Sequence, residues 1–394
     1  MDDSRVRRWA ASGAMALTGL PDQPLGPPGG LVDGVEEMGR PFDGLDALAL
    51  LGERATHMGL WRQGTTSCGG SCRLLPSPGG FVAVSLARDD DFASVPAWLE
   101  LDVAPATAPA TWSAVAHAVA RRDVDELIAR AALLGLPVAR VGEAAGSPGV
   151  VRVPLGPGAA RRPAGLVVVD LSGLWAGPLC GDLLAGAGAA VIKVESTSRP
   201  DGARRGPRAF FDLLNGRKRS VALDLRSNEG VGALRALVCG ADVVLEASRP
   251  RALEQFGILA ADEVANGGPQ VWVSITGYGR DGEGGGRVAF GDDAAGGGGL
   301  VVWDAGTPMF CADAVADPIT GLAAARACLD VLAGGGRWLL DVSMAGVCAA
   351  LTGPTLPAPA DVAVAPPRAR PAAGSAPELG ADTTQVLAEL GRRM

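Results

Sequence analysis

From residue 165 onward the chain alternates two kinds of apolar pattern. Short runs without a polar face, "GLVVVDLS" (165–172), "AAVIKVE" (189–195), "RSVALDL" (219–225), "ADVVLEA" (241–247) and "QVWVSIT" (270–276), have strand length and read as strands buried on both sides. Between and after them lie helix-like segments, "PLCGDLLAGAG" (178–188), "NEGVGALRALVCG" (228–240) and "RALEQFGI" (251–258). A long helix, "ITGLAAARACLDVLAG", and a last strand, "RWLLDVS", close the series. Strands alternating with helices predict an α/β fold with a doubly wound parallel sheet. Ligands of such sheets bind outside the carboxyl ends of the strands, here near Ser172, Glu195, Ala247 and Thr276.

The first part of the chain lacks this alternation. Residues 1–55 are turn-rich, with the amphipathic pieces "VDGVEEM" and "LDALALLGERA". Residues 56–145 read as a smaller α+β domain: a turn and strand in "RLLPSPGGFVAVSLAR", an Asp cap in "DDDF", then helical pieces and the short strand "PVARV". The Gly, Ala and Pro-rich stretch 146–164 reads as a linker to the large domain, 165–350. The Pro/Ala-rich tail, 351–394, is expected to be disordered in part.

Composition narrows the function classes. There are 43 acidic against 35 basic residues, a net charge of -8, and no basic tract, which argues against a nucleic-acid partner. No stretch is apolar for the length of a membrane span, and the acidic start does not resemble a secretory signal, so the expectation is a cytoplasmic protein without a membrane partner. The seven cysteines are scattered; "SCGGSC" has one residue too many for a redox pair, and with two histidines in the chain no metal site is expected. No GxGxxG follows the first strand, and "AGAGAA" ends a helix instead of opening one. The large domain is therefore Rossmann-like without a dinucleotide fingerprint, and no resident cofactor is expected.

Several separated segments carry a resemblance. "VVVDLSGLWAGPLCGDLLAGAGAAVIKVESTSRPDG", "FFDLLNGRKRSVALDLRSNEG", "ADVVLEASRPRALEQFG", "VSITGYG" and "ADPITGLAAARACLDVLAGGGRWLLDVSM" resemble, in order, the front domain of the family III coenzyme A transferases, the CaiB-like family that also holds the 2-methylacyl-CoA racemases. "ASGAMALTGLPDQPLGP" (11–27) again resembles the active-site loop, and the segments after it resemble the small domain that normally follows the front domain. The domain order is thus that of a permuted chain or a tandem-fusion remnant.

The resemblance implies coenzyme A as a substrate moiety, acyl-CoA and a carboxylic acid as partners, and a homodimer or a hetero-partner of the same family. It brings Asp304, in "GGGGLVVWDAGTP", onto the nucleophile position, with Asp22 as the alternative. Leu174, Trp175, Leu223, Arg249 and Tyr278 are the expected coenzyme A contacts. Such an Asp attacks a thioester and forms a covalent intermediate, which "GGGG" (296–299) or "TTSCGGS" (65–71) would support with backbone N–H donors. Racemases resemble each other in a His-Asp pair where this chain has Phe290 and Gly291, and no His follows His117, which counts against racemisation. Missing contact residues, such as the Ala247 and Ser248 that replace an amide and an aromatic, keep a non-catalytic CoA-binding or structural role as the alternative.

Overall fold

The computed structural model describes residues 3–249 and 251–391. Its strands in chain order are β1 (Cys72–Ser77), β2 (Gly80–Ser85), β3 (Val138–Arg140), β4 (Val150–Gly156), β5 (Val167–Asp170), β6 (Ala190–Ser196), β7 (Arg219–Leu223), β8 (Val243–Glu246), β9 (Val271–Thr276), β10 (Val302–Asp304), β11 (Thr307–Met309) and β12 (Arg337–Ser343). Seven of them form the main sheet in the order β4-β12-β9-β8-β5-β6-β7. All its pairings are parallel except β4 with β12. The order reverses at β5, which is the doubly wound arrangement expected from the alternating pattern.

Side-chain alternation along these strands divides the core into two layers. Val168, Val191, Leu245, Val273 and Leu340 face the helices Ala176–Gly186 and Ala316–Gly334. Val169, Ile192, Val221, Val244 and Trp272 share the opposite layer with apolar residues of the helix Asn228–Cys239. The small domain has its own core, in which Val82, Val84 and Val138 pack against Trp98, Trp112 and Leu127.

Three expectations change. The stretch 146–164 contains β4, which pairs along six positions with β12 and closes the sheet edge, so backbone hydrogen bonding overrides its linker-like composition. Residues 1–55 are not a separate unit: Trp9, Leu31, Val35 and Leu50 lie in the same core cluster as Leu179 and Ile319. The tail packs on the large domain through 391, with residues 392–394 outside the described residues, as are residues 1 and 2 of the first segment. Arg370 of the tail bonds Glu53 at 2.8 Å and Asp182 at 2.7 Å, and Val386 of its helix Thr383–Gly391 is buried against the sheet. Before that helix the Pro/Ala-rich stretch is irregular, yet Leu356, Val362 and Val364 still pack against the core.

Candidate active site

A cleft of about 730 Å³ opens at the carboxyl ends of β5 and β6. Its walls come from three stretches of the chain. The N-terminal segment contributes Arg54, the stretch 56–145 Met58, Ser71, Ser85 and Arg88, and the large domain Leu174, Trp175, the 198–207 loop, Asp292 and Asp317.

Asp317 is the half-buried carboxylate of the cleft, one residue inside the start of the helix Ala316–Gly334. Two glycines allow it to sit there. At Gly321, one turn further on, a Cβ would lie 2.5 Å from the Ala176 carbonyl oxygen, so only glycine lets this helix cross so close to the helix Ala176–Gly186. At Gly291 a Cβ would lie 2.3 Å from Asp317 Oδ2. Burial pushes the Asp317 carboxyl up to about 7; Arg54 pulls it down, Asp292 and Asp313 push it up, and the Ala176 amide pulls it down. At the start of this helix the Asp317 N–H donates to the Ala314 carbonyl at 2.9 Å and Pro318 has no N–H, so what the N-terminus offers the carboxylate is mainly the positive end of the helix dipole.

Asp292 beside it is raised to about 6 by burial, against Arg54, which lowers it. Ser67 also bonds its side chain, and its Oδ1 accepts the Ala314 N–H at 3.1 Å. Asp293 points the other way, accepting Ser85 Oγ at 2.8 Å and the Phe290 N–H at 3.0 Å, and burial raises it to about 7. Arg54 ties this cluster together. Its Nε donates to Asp313 Oδ2 at 2.9 Å and its Nη2 to Oδ1, a bidentate fork, while its guanidinium lies 5.4 Å over the Trp175 ring. Burial pulls the Arg54 pKa down, but Asp313 outweighs it and holds it above the ordinary value.

The floor next to β5 is fixed by two buried lysines. Lys218 Nζ bonds Asp170 Oδ2 and the Pro178 carbonyl, each at 2.8 Å. Lys193 Nζ bonds the Ser172 carbonyl at 2.9 Å and pairs with Asp201 at 2.9 Å. Asp201 Oδ1 in turn accepts the Leu174 N–H at 2.9 Å, pinning a residue held at φ 64. Both lysines are buried ion-paired groups, not solvated charges at strand ends. Burial lowers the Lys218 pKa; for Lys193 burial acts the same way, but Asp170 and Asp201 carry it above its ordinary value.

The residues singled out from sequence divide. Leu174 and Trp175 line the cleft. Asp304 does not: it ends β10 in a hairpin whose two turn residues, Ala305 and Gly306, have φ 45 and 82, the left-handed pair of a tight hairpin. Asp22 is exposed in the turn between Gly19 and Pro24 and does not line the cleft either. Leu223 is a core residue whose carbonyl accepts the Thr197 N–H, Arg249 is exposed after β8, and the Tyr278 ring is covered by Arg287 at 3.8 Å. Of the two Gly-rich stretches, "GGGG" ends the buried helix Gly291–Gly298, while "TTSCGGS" does border the site through Ser67 and Ser71. Sequence reasoning missed Asp317, Asp292 and Arg54. The available signal was an Asp in the first turn of the longest Ala-rich helix, followed four residues later by Gly.

The model of CoA-transferase family III matches residues 164–381, more than half of the chain. The chain belongs to that family. It is 34% identical over 131 residues to the succinyl-CoA–D-citramalate CoA-transferase of Chloroflexus aurantiacus, covering 32% of this chain and 33% of that protein. To the succinyl-CoA–L-malate CoA-transferase beta subunit of the same organism it is 35% identical over 181 residues, 43% of this chain and 44% of that one. A solved CAIB/BAIF family protein from Brucella suis is 30% identical, with a TM-score of 0.42 over 48% of this chain and 55% of that one. The chain thus spans a third to less than half of the length of these two curated relatives. Among the described residues no helix is long and apolar enough to cross a membrane.

Proposed function

We propose that this enzyme transfers coenzyme A from an acyl-CoA to a carboxylic acid through a covalent intermediate on Asp317. The observation that carries the reading is the placement of Asp317: a half-buried carboxylate opening into the cleft at a helix N-terminus, beside Asp292 and under the influence of Arg54. Geometry therefore favours it over Asp304 and Asp22. At the mouth, Arg199 and Arg205 are exposed on the loop after β6 and have no carboxylate partner among the described residues, which suits the phosphates of coenzyme A.

In this reading an Asp317 oxygen attacks the thioester carbonyl carbon, the C–S bond breaks, and the CoA thiolate leaves a mixed anhydride. The thiolate then attacks the aspartyl carbonyl and releases the donor carboxylate, giving an aspartyl-CoA thioester. The acceptor carboxylate attacks that thioester, expels the thiolate again, and forms its own anhydride. The thiolate finally takes the acceptor acyl group, and Asp317 is regenerated as a carboxylate. No proton is gained or lost over the cycle. In the first turn of the helix Ala316–Gly334 the Asp317 N–H is engaged by the Ala314 carbonyl and Pro318 has none, so the negative charge on each tetrahedral oxygen is left to the Arg54 guanidinium, whose charge already acts on Asp317.

The test is intact-protein mass after incubation with a panel of acyl-CoAs and trapping with hydroxylamine, for the wild type and for Asp317→Ala, Asp304→Ala and Asp22→Ala. An adduct lost in Asp317→Ala alone supports the assignment. An adduct that survives in Asp317→Ala and is lost at Asp304 or Asp22 moves the nucleophile there. Coenzyme A binding without any adduct favours a non-catalytic binding protein.

A further inference from the structure

The surroundings of Asp317 bear on which acids this chemistry accepts. Asp292 and Asp317 share one corner of the cleft with the guanidinium of Arg54, and both arms of its fork are already engaged by Asp313, which is fully buried behind it. Arg88 is spent in the same way: its Nε donates to Asp91 Oδ1 at 2.9 Å. Arg199 and Arg205, the cleft arginines without a carboxylate partner among the described residues, are at the exposed mouth.

Beside the serines Ser71 and Ser85, the wall of that corner is largely apolar. Trp175 precedes Ala176, whose amide reaches Asp317, and Phe210 stacks edge-on against Trp175 at 5.1 Å between centroids. Phe290 precedes Gly291, which abuts the Asp317 carboxylate. Met58 lies one turn beyond Arg54 on the helix Glu53–Met58, and with Leu174 it leaves nearly half of its surface exposed at the cleft, 47% for each. A carboxylate carried into this corner would be partly dehydrated beside Asp292 and Asp317 with the one guanidinium there already forked to Asp313, whereas an alkyl or aryl group would bury these exposed side chains.

Resting on the transferase reading above, we infer that the acyl pocket takes apolar monocarboxylic acyl groups, alkyl or aryl, and discriminates against dicarboxylic ones. The discrimination is set by desolvation as much as by contact: among the described residues of this corner no cation is free to pair an ω-carboxylate, which would lose its hydration there without compensation.

The experiment uses non-reactive thioethers, so that binding is read without chemistry. Affinities of the wild-type protein are measured by calorimetry for coenzyme A, S-octyl-CoA, S-benzyl-CoA and an S-(ω-carboxyalkyl)-CoA of matched length. The alkyl or aryl thioether is expected to bind about 10-fold or more tighter than coenzyme A itself, and the carboxyalkyl one no tighter than coenzyme A. In Met58→Arg, which places a cation on the apolar wall, the carboxyalkyl thioether should gain on the alkyl one. A carboxyalkyl thioether that equals or exceeds the alkyl one in the wild type overturns the inference, as does an alkyl thioether no better than coenzyme A. The covalent reading fails separately: absent trapping with an intact alkyl preference sinks only the Asp317 mechanism, and trapping that is strongest with a dicarboxylic donor sinks only the substrate class.

Discussion

At the scale of single residues the site is a balance between burial, which holds its carboxyl groups protonated, and one guanidinium that opposes this. Because the Asp317 pKa stands at about 7, the nucleophilic form grows as pH rises. The acid limb of kcat/KM is expected to climb with pH and level off above about 7, read from a pH profile at constant ionic strength. Arg54→Gln removes the charge that lowers this pKa, so the same limb should move to higher pH, an effect that a purely structural defect would not produce. Asp317→Asn should cost on the order of 10⁴-fold or more in turnover, the scale seen when a nucleophile is removed. Asp304→Asn, a change at the end of a hairpin strand, should stay within ~0.5 kcal/mol of wild-type stability in urea and leave trapping intact.

At the scale of elements, the cleft floor depends on what lies beneath the strand ends. The β5 turn carries Leu174 at φ 64, a conformation that costs a non-glycine residue ~1–2 kcal/mol and persists only where neighbours enforce it. The Lys193–Asp201 pair enforces it, through the Ser172 carbonyl on one side and the Leu174 amide on the other. Lys193→Met would leave Asp201 buried without its cation. A loss of about 3–5 kcal/mol is expected, measured as a lower urea midpoint, because breaking one half of a buried pair exposes the full desolvation cost of the other. The neighbouring crossing at Gly321 is of the same kind. It sets the distance between two helices, and through that distance the contact of Asp317 with the Ala176 amide.

At the scale of the whole molecule, the N-terminal segment, the small domain and the large domain meet in one cleft. Four acids there and nearby, the buried Glu53, Asp292 and Asp293 and the half-buried Asp317, hold pKa values of about 6 to 7, raised by burial from 4.5 for the Glu and 3.8 for the others. A raised acid stabilises the fold when protonated, and that contribution is lost as pH rises through the folded value. Stability should therefore increase from pH 8 down to about 5, and fall again below about 4, where Asp170 and Asp201, whose pKa values are lowered, begin to protonate. Urea titrations across that range check both signs.

The sequence by itself determined the large domain. Its strands lie close to where the apolar runs put them, because a strand covered on both faces leaves a continuous apolar run that needs no partner to be read. It also determined the family, since those runs and the motifs between them are local. What only the tertiary structure decided was the identity of the site. Asp304 and Asp317 both stand beside turns and apolar runs in the sequence, and the difference between them is that a helix crossing at Gly321 and an arginine 263 positions away bring Asp317 into a cleft. The roles of β4 and the tail were hidden for the same reason. The three valines of β4 favour a strand but form a short run set among Gly and Pro, and the places of both stretches are fixed by hydrogen bonds and ion pairs to strands and acids far away in the chain.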